Sequence, residues 1–137
     1  MKIEEQVLSR EQMKHLQELG VNTSDASMAY YNISRDNQPD KWILGIANKE
    51  VASIMISNGI TEMEPTYTIG DLIEKLPKQI GWYKLSVCWE NECVEYDNWI
   101  SEEVTDYIGD FNFEYRPLIE ALYDCLCWVA ENHKELL

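Results

Sequence analysis

The sequence is short of basic residues: its 137 residues include 11 Lys and Arg against 25 Asp and Glu, a formal net charge of −14. This balance argues against direct binding to nucleic acid or to an anionic membrane, because both are bound through Lys and Arg. Glycine and proline are also scarce, with six and four residues, while 45% of the chain is hydrophobic. The composition excludes disordered and collagen-like chains, and we expect a single domain spanning residues 1–137.

Long hydrophobic runs are absent as well. The longest, around residues 42–47 and 51–56, are far below the roughly 18 residues that a membrane-spanning helix needs. The first six residues carry two glutamates where a signal peptide carries basic residues. We therefore expect a cytoplasmic protein that does not bind membranes.

Residues with catalytic or metal-binding chemistry are few. There are two histidines, His15 and His133, and the chain lacks the Gly-rich phosphate loop and the usual metalloprotease and serine hydrolase motifs. The four cysteines are Cys88, Cys93, Cys125 and Cys127. Neither pair has the Cys-x-x-Cys spacing of zinc and redox sites, so we interpret all four as buried reduced thiols. We predict no catalytic residue, no bound metal and no cofactor.

Two short amphipathic helices are indicated by their capping residues. The first begins after Ser9, where Gln12 completes a capping box, and it ends at Gly20. The second begins after Thr68 and ends before Pro77. Their apolar residues recur at helical spacing, so each helix should bury one face.

Two β-hairpins are indicated by segments rich in aromatic and β-branched residues. Residues 27–33 and 41–47 form the first, around a polar loop. Residues 82–89 and 93–100 form the second, and their alternation favours a register in which paired residue numbers sum to 181. Residues 51–57 are a further expected strand, although so short an apolar run also fits a helix.

This register divides the second hairpin into two faces. The face expected in the core carries Tyr83, Leu85, Val87 and Trp89. The other pairs Trp82 with Trp99, Lys84 with Asp97, Ser86 with Glu95 and Cys88 with Cys93. If this outer face meets solvent, its tryptophans form an exposed apolar patch of the kind that marks a binding surface. If another element covers it, the pair belongs to the core.

The longest helix is predicted at the end of the chain, from Pro117 to about Leu136. Its apolar arc is wide, which is typical of a helix packed against a sheet. The order of elements predicts an α+β fold, in which an antiparallel sheet of two hairpins and four to five strands carries about three helices mainly on one face.

Negative charge is concentrated in residues 85–115, which we call the acidic segment. It contains nine acidic residues and no Lys or Arg, and so carries −9 of the net −14. A solvated surface that maintains solubility is the simplest interpretation. The functional alternative is a docking surface that attracts a basic protein by charge and binds it through aromatic side chains. The candidate partner-binding residues are Glu90, Glu92, Glu95, Asp97, Trp82, Trp99, Glu102, Glu103 and Asp106.

We therefore expect a non-enzymatic interaction protein whose acidic segment binds a basic protein, with mimicry of a nucleic-acid backbone as a special case. One alternative is a small metal-dependent hydrolase, because Glu95 and Asp97 share a strand face and carboxylates hold divalent ions. Another is self-association, in which the outer face of the second hairpin is the interface of a homodimer.

Three helical segments together carry a resemblance. They are residues 9–21 (SREQMKHLQELGV), 67–77 (YTIGDLIEKLP) and 118–132 (LIEALYDCLCWVAEN). In these segments the chain resembles small uncharacterised proteins encoded in prophages and other mobile elements of gut bacteria. The resemblance implies an intracellular accessory protein, and it assigns no catalytic or binding residue.

Overall fold

A computed structural model describes residues 3–35, 37–60, 62–99, 105–112 and 116–137, and the side chains of all of these except 3, 4, 99, 105 and 109–112. The elements, in chain order, are α1 (Arg10–Glu18), β1 (Met28–Asn32), β2 (Trp42–Ile46), α2 (Lys49–Ser57), β3 (Glu62–Thr66), α3 (Ile69–Lys75), β4 (Gln79–Ile80), β5 (Tyr83–Cys88), β6 (Cys93–Trp99), β7 (Thr105–Asn112) and α4 (Leu118–Asn132). Short 3-10 helices lie at Ile3–Gln6 and Lys134–Leu136.

The strands form two antiparallel sheets, with strand orders β2-β1-β3 and β4-β5-β6-β7. The predicted α+β class is therefore confirmed. Both predicted hairpins are present, but they lie in separate sheets rather than in one. The reason is that β1 takes β3 as its second partner and β6 takes β7, so neither central strand is open to the other hairpin.

The predicted register of the second hairpin is confirmed, from Lys84 opposite Asp97 to Cys88 opposite Cys93. The inner side chains of β5 and β6 pack against the core, as expected. Trp89 is the exception, because β5 ends at Cys88 and the tryptophan lies in the turn, 62% exposed.

The predicted ends of the short helices are also confirmed. The backbone N–H of Gln12 donates to Ser9 Oγ (3.1 Å), and the N–H of Ser9 donates to Gln12 Oε1 (2.9 Å). Thr68 forms an equivalent capping box at the start of α3. Gly20 follows α1 with φ +89°, a conformation that glycine adopts without strain. None of the helices in the described ranges is long and apolar enough to cross a membrane.

The expectation of a strand at residues 51–57 is wrong, because this segment lies in α2. Asn48 caps the helix by accepting from the N–H of Val51 (2.8 Å), and Gly59 follows its end at φ +89°. The final helix is shorter than predicted: Pro117 is its N-cap, and the chain leaves α-helical geometry at His133.

The hydrophobic core lies between α4 and the inner face of the four-stranded sheet, with α1 and α3 beside it. Leu122 and Leu126 of α4 and Val94 of β6 are fully buried. Tyr96 is buried too, and its hydroxyl donates to the carbonyl of Pro77 (2.8 Å), which satisfies its polar end. The inner face of β6 is thereby fixed against α4.

Truncation of Leu122 to Ala should lower the free energy of unfolding by roughly 2–5 kcal/mol, because it leaves a cavity in this core. Leu136→Ala is the matched control, since Leu136 is exposed and should lose well under about 1 kcal/mol. Urea unfolding followed by circular dichroism measures both variants. Equal losses from the two variants would contradict the assigned core.

Candidate functional site

The described acids at the start of the acidic segment lie on the β5–β6 hairpin. Glu90 and Glu92 are in the turn, where Glu90 is exposed and Glu92 is half-buried with φ +51°. Glu95 and Asp97 lie on the outer face of β6, because side chains alternate along a strand and Tyr96 faces the core. Glu95 is half-buried, whereas Asp97 is only 8% exposed. The turn therefore presents carboxylates to solvent more fully than β6 does.

Asp106 lies apart from these residues, on β7. It is exposed, and it accepts a hydrogen bond from the hydroxyl of Tyr83 (2.7 Å). This hydrogen bond raises the pKa of Tyr83, because the carboxylate stabilises the protonated phenol. Asp106 pairs with Asn98, so it lies on the opposite face of the sheet from Asp97. The described acids therefore do not share one face of the sheet.

Cations do not neutralise most of these acids. Among the residues that the structure describes, no Lys, Arg or His lies within 4.0 Å of the carboxylates of Glu90, Glu92, Asp97 or Asp106. Lys84 is the register partner of Asp97, but the two form no ion pair. The described Arg and Lys ion pairs connect α1 to β3, α3 to Asp25, and the start of α4 to its own first turns.

Aromatic side chains are exposed on the same sheet. Trp82, a predicted binding residue, precedes β5 and is 81% exposed. Trp89 and Tyr107 are 62% and 47% exposed, and neither is among the residues predicted to bind a partner. The sequence does hold a signal for Trp89, because it immediately precedes the polar turn residues where pairing stops.

The remaining predicted residues lie, entirely or by their side chains, outside the described part of the structure. Glu102 and Glu103 fall outside the described residues. Trp99 ends β6, but its side chain also lies outside them. The prediction that Trp99 faces Trp82 on an outer patch is therefore untested. The structure shows only that Trp82 is exposed.

No group of three or more His, Cys, Asp or Glu in the described part of the chain is arranged to hold a metal ion. His15 is exposed on α1. His133 is the C-cap of α4, and its ring lies 5.2 Å from that of Trp128, which indicates a structural role.

A pocket of about 260 Å³ lies between α1 and β3. Arg10, which lines the pocket, donates two hydrogen bonds to Glu64, from Nε (2.6 Å) and from Nη2 (2.9 Å). The Arg10 guanidinium also stacks 3.8 Å from the ring centroid of Trp42. Because this cation is already paired and stacked, Arg10 is not available to bind an anion in the pocket.

The Arg10–Glu64 contact should make stability depend on pH. Hydrogen bonding from Arg10 holds the pKa of Glu64 below its ordinary value of 4.5, despite partial burial. The contribution of the carboxylate is therefore complete above pH 4.5 and is lost as the pH falls through the lower folded pKa. Glu64→Gln should cost less than about 1 kcal/mol at pH 7, because the pair is partly exposed.

Urea unfolding at pH 7 and at decreasing pH tests this prediction, and the difference between wild type and Glu64→Gln should shrink as the pH falls. Glu74→Gln is the control, because Glu74 is exposed and forms no ion pair within the described residues. A difference for Glu64→Gln that stays constant at all pH values would contradict the assignment.

Comparisons with protein-family models, curated proteins and solved structures find no significant match to the chain. The resemblance to proteins of mobile elements thus stays a prediction. Any functional argument depends on the geometry of the chain's own residues, above all the exposed acids and tryptophans of the second hairpin.

Proposed function

We propose that the chain is a non-enzymatic interaction protein that binds a basic protein through the β5–β6 turn and the outer face of its four-stranded sheet. The binding surface, here called the acidic surface, comprises Glu90, Glu92, Glu95, Trp82 and Trp89, whereas Asp106 lies on the other face of the sheet. The observation that carries the proposal is the position of Glu90 and Glu92 beside exposed Trp89, with no cation near these carboxylates among the described residues.

Charge would act first in such an encounter. Glu90 and Glu92 lie in one short turn, and no Lys or Arg occurs anywhere in the acidic segment. Their fields add over the screening length of about 8 Å at physiological ionic strength, which favours approach of a cationic surface. The complex should consequently form faster at low salt and weaken as salt is added.

Contact would then depend on the tryptophans. Trp82 and Trp89 stand at opposite ends of β5, and both are largely exposed in the isolated chain. An aromatic side chain can bury about 150–250 Å² in an interface, and tryptophan is enriched among residues that dominate binding energy. Because Trp89 adjoins Glu90, it suits a partner whose apolar pocket is bordered by Lys or Arg, and Trp82 offers a second aromatic anchor at the other end of β5.

Mimicry of a nucleic-acid backbone is the special case in which the partner is itself a nucleic-acid-binding protein. Carboxylates would then occupy the sites on the partner that normally receive phosphates. The chain should accordingly displace a basic DNA-binding protein from double-stranded DNA, and the charge-reversed variant described next should not.

Reversal of the turn charges tests the acidic surface directly. The double variant Glu90→Lys/Glu92→Lys should bind a fluorescent poly-Lys peptide at least about tenfold more weakly, because two attractive charges become repulsive. The double variant Glu50→Lys/Glu74→Lys is the matched control, since it has the same net charge and alters exposed acids elsewhere. Fluorescence anisotropy at low salt measures both. Equal weakening would show that net charge alone governs binding and would contradict a specific surface.

Self-association is a second candidate function, and α2 is the element that favours it. The helix has no buried residue, and Ile54 and Ile56 are 61% and 68% exposed. Residues 51–60 contain no charged side chain. A second copy of so acidic a chain would meet least repulsion here, and a two-fold pair of α2 helices would bury Ile56, while Ile54 points about 200° away around the helix.

Ile56→Lys should dissociate such a dimer, because it places a charge in the apolar contact. Leu136→Lys is the matched control, since it puts lysine at an exposed apolar residue outside α2. Light scattering over a range of concentrations should give twice the chain mass for the wild type and the control, and the chain mass for Ile56→Lys. A wild type that stays monomeric would eliminate this candidate.

A further inference from the structure

We propose that Cys88 and Cys93 form a cross-strand dithiol that closes reversibly into a disulfide at the base of the β5–β6 turn. This is a modification site of the chain itself, and it does not depend on the proposed docking function. The ligand class is a low-molecular-weight disulfide such as oxidised glutathione, which exchanges with protein thiols.

The register brings the two residues together. Cys88 ends β5, Cys93 begins β6, and they are directly opposite each other in the last pair before the turn. Opposite residues of an antiparallel pair have Cα atoms about 4.5–5.5 Å apart, within the range of about 4.4–6.8 Å that disulfides span. The backbone of the hairpin is therefore already placed for the bond.

The two side chains also share a face of the sheet. Both project from the outer face, because they alternate with the core residues Val87 and Val94. The Cys93 Sγ lies 3.8 Å from Glu95 Oε1, so one carboxylate borders the pair. Burial, the charge of Glu95 and the neighbouring Cys88 raise the pKa of Cys93 to about 11.

These environments assign different roles to the two thiols. Cys88 is half-exposed, whereas Cys93 is buried and holds its proton near neutral pH. Cys88 is therefore the thiol that meets an external disulfide, since attack requires an accessible thiolate. Cys93 is the resolving thiol, and its raised pKa slows the second step.

The reaction balances in two exchange steps. The Cys88 thiolate attacks one sulfur of oxidised glutathione, which forms a mixed disulfide and releases one glutathione thiolate. Cys93 then loses its proton to solvent and attacks the Cys88 sulfur, which breaks the mixed disulfide and releases the second glutathione. Two protein thiols are oxidised to one disulfide, and one glutathione disulfide is reduced to two thiols.

The other two cysteines provide an internal control. Cys125 and Cys127 are two residues apart on α4, so their side chains point about 200° apart around the helix and cannot bond to each other. Burial raises the pKa of Cys125 and raises that of Cys127 to about 11. Oxidation should therefore be selective for the hairpin pair.

The test is oxidation of the full-length chain with oxidised glutathione, alkylation of the remaining thiols and digestion with a protease that cleaves after Glu. Because Glu90 and Glu92 lie between the two cysteines, digestion puts Cys88 and Cys93 on separate peptides, 75–90 and 93–95, which only a disulfide can join. Mass spectrometry should detect the joined peptides after oxidation and lose them after dithiothreitol, while Cys125 and Cys127 remain alkylated.

Cys93→Ser should stop the reaction at a glutathione adduct on Cys88, which identifies Cys93 as the resolving thiol. Three wild-type results would overturn the proposal: alkylation of both hairpin cysteines after oxidation, a glutathione adduct on Cys88 that never resolves, or a disulfide between two chains. The wild-type mapping decides the matter even if the serine variant fails to fold.

Discussion

Burial of one face of α4 is the interaction on which the rest of the structure depends. The helix contributes eight buried residues and contacts β6, β7, α1 and α3. Full burial of a large apolar side chain contributes roughly 1.5–3 kcal/mol, so this face outweighs any exposed ion pair in the chain. It also orients the sheet, because Val94 and Tyr96 can face α4 only if Glu95 and Asp97 face away. The position of two acids on the outer face is thus a consequence of the core.

The smaller sheet is attached to this core through the backbone around Leu8. The N–H of Leu8 donates to the carbonyl of Tyr67 (3.0 Å), and its own carbonyl accepts from Thr66 Oγ1 (2.7 Å) and from the hydroxyl of Tyr30 (3.0 Å). These bonds fix β1 and β3 beside α1. They do not extend to α2, whose residues all retain some exposure to solvent. The apolar surface of α2 therefore contributes little to the core, which leaves it open to a second copy.

Local rules predicted those features that depend on neighbouring residues. The cap at Ser9 and the register of the second hairpin follow from patterns within a few positions, and both are confirmed. Strand β3 is not predicted from the sequence, because proline and glutamate disfavour a strand and β3 contains Pro65 and two glutamates. Pairing with the distant β1 overrides that preference. The same limit applies to the site: the sequence identifies the acids, but only the fold makes Asp97 nearly inaccessible.

The edge strands of the sheets differ in charge, and this difference distinguishes the two proposed surfaces. Strand β3 carries Glu62 and Glu64, and β7 carries Asp106 and Asp110, which discourage another strand from pairing with those edges. Strand β2 carries no charge, and α2 carries none after Glu50 in its first turn. A second acidic chain would therefore approach at β2 and α2, whereas a basic partner would be drawn to the hairpin of β5 and β6. The two proposed surfaces thus have no residue in common and belong to different sheets.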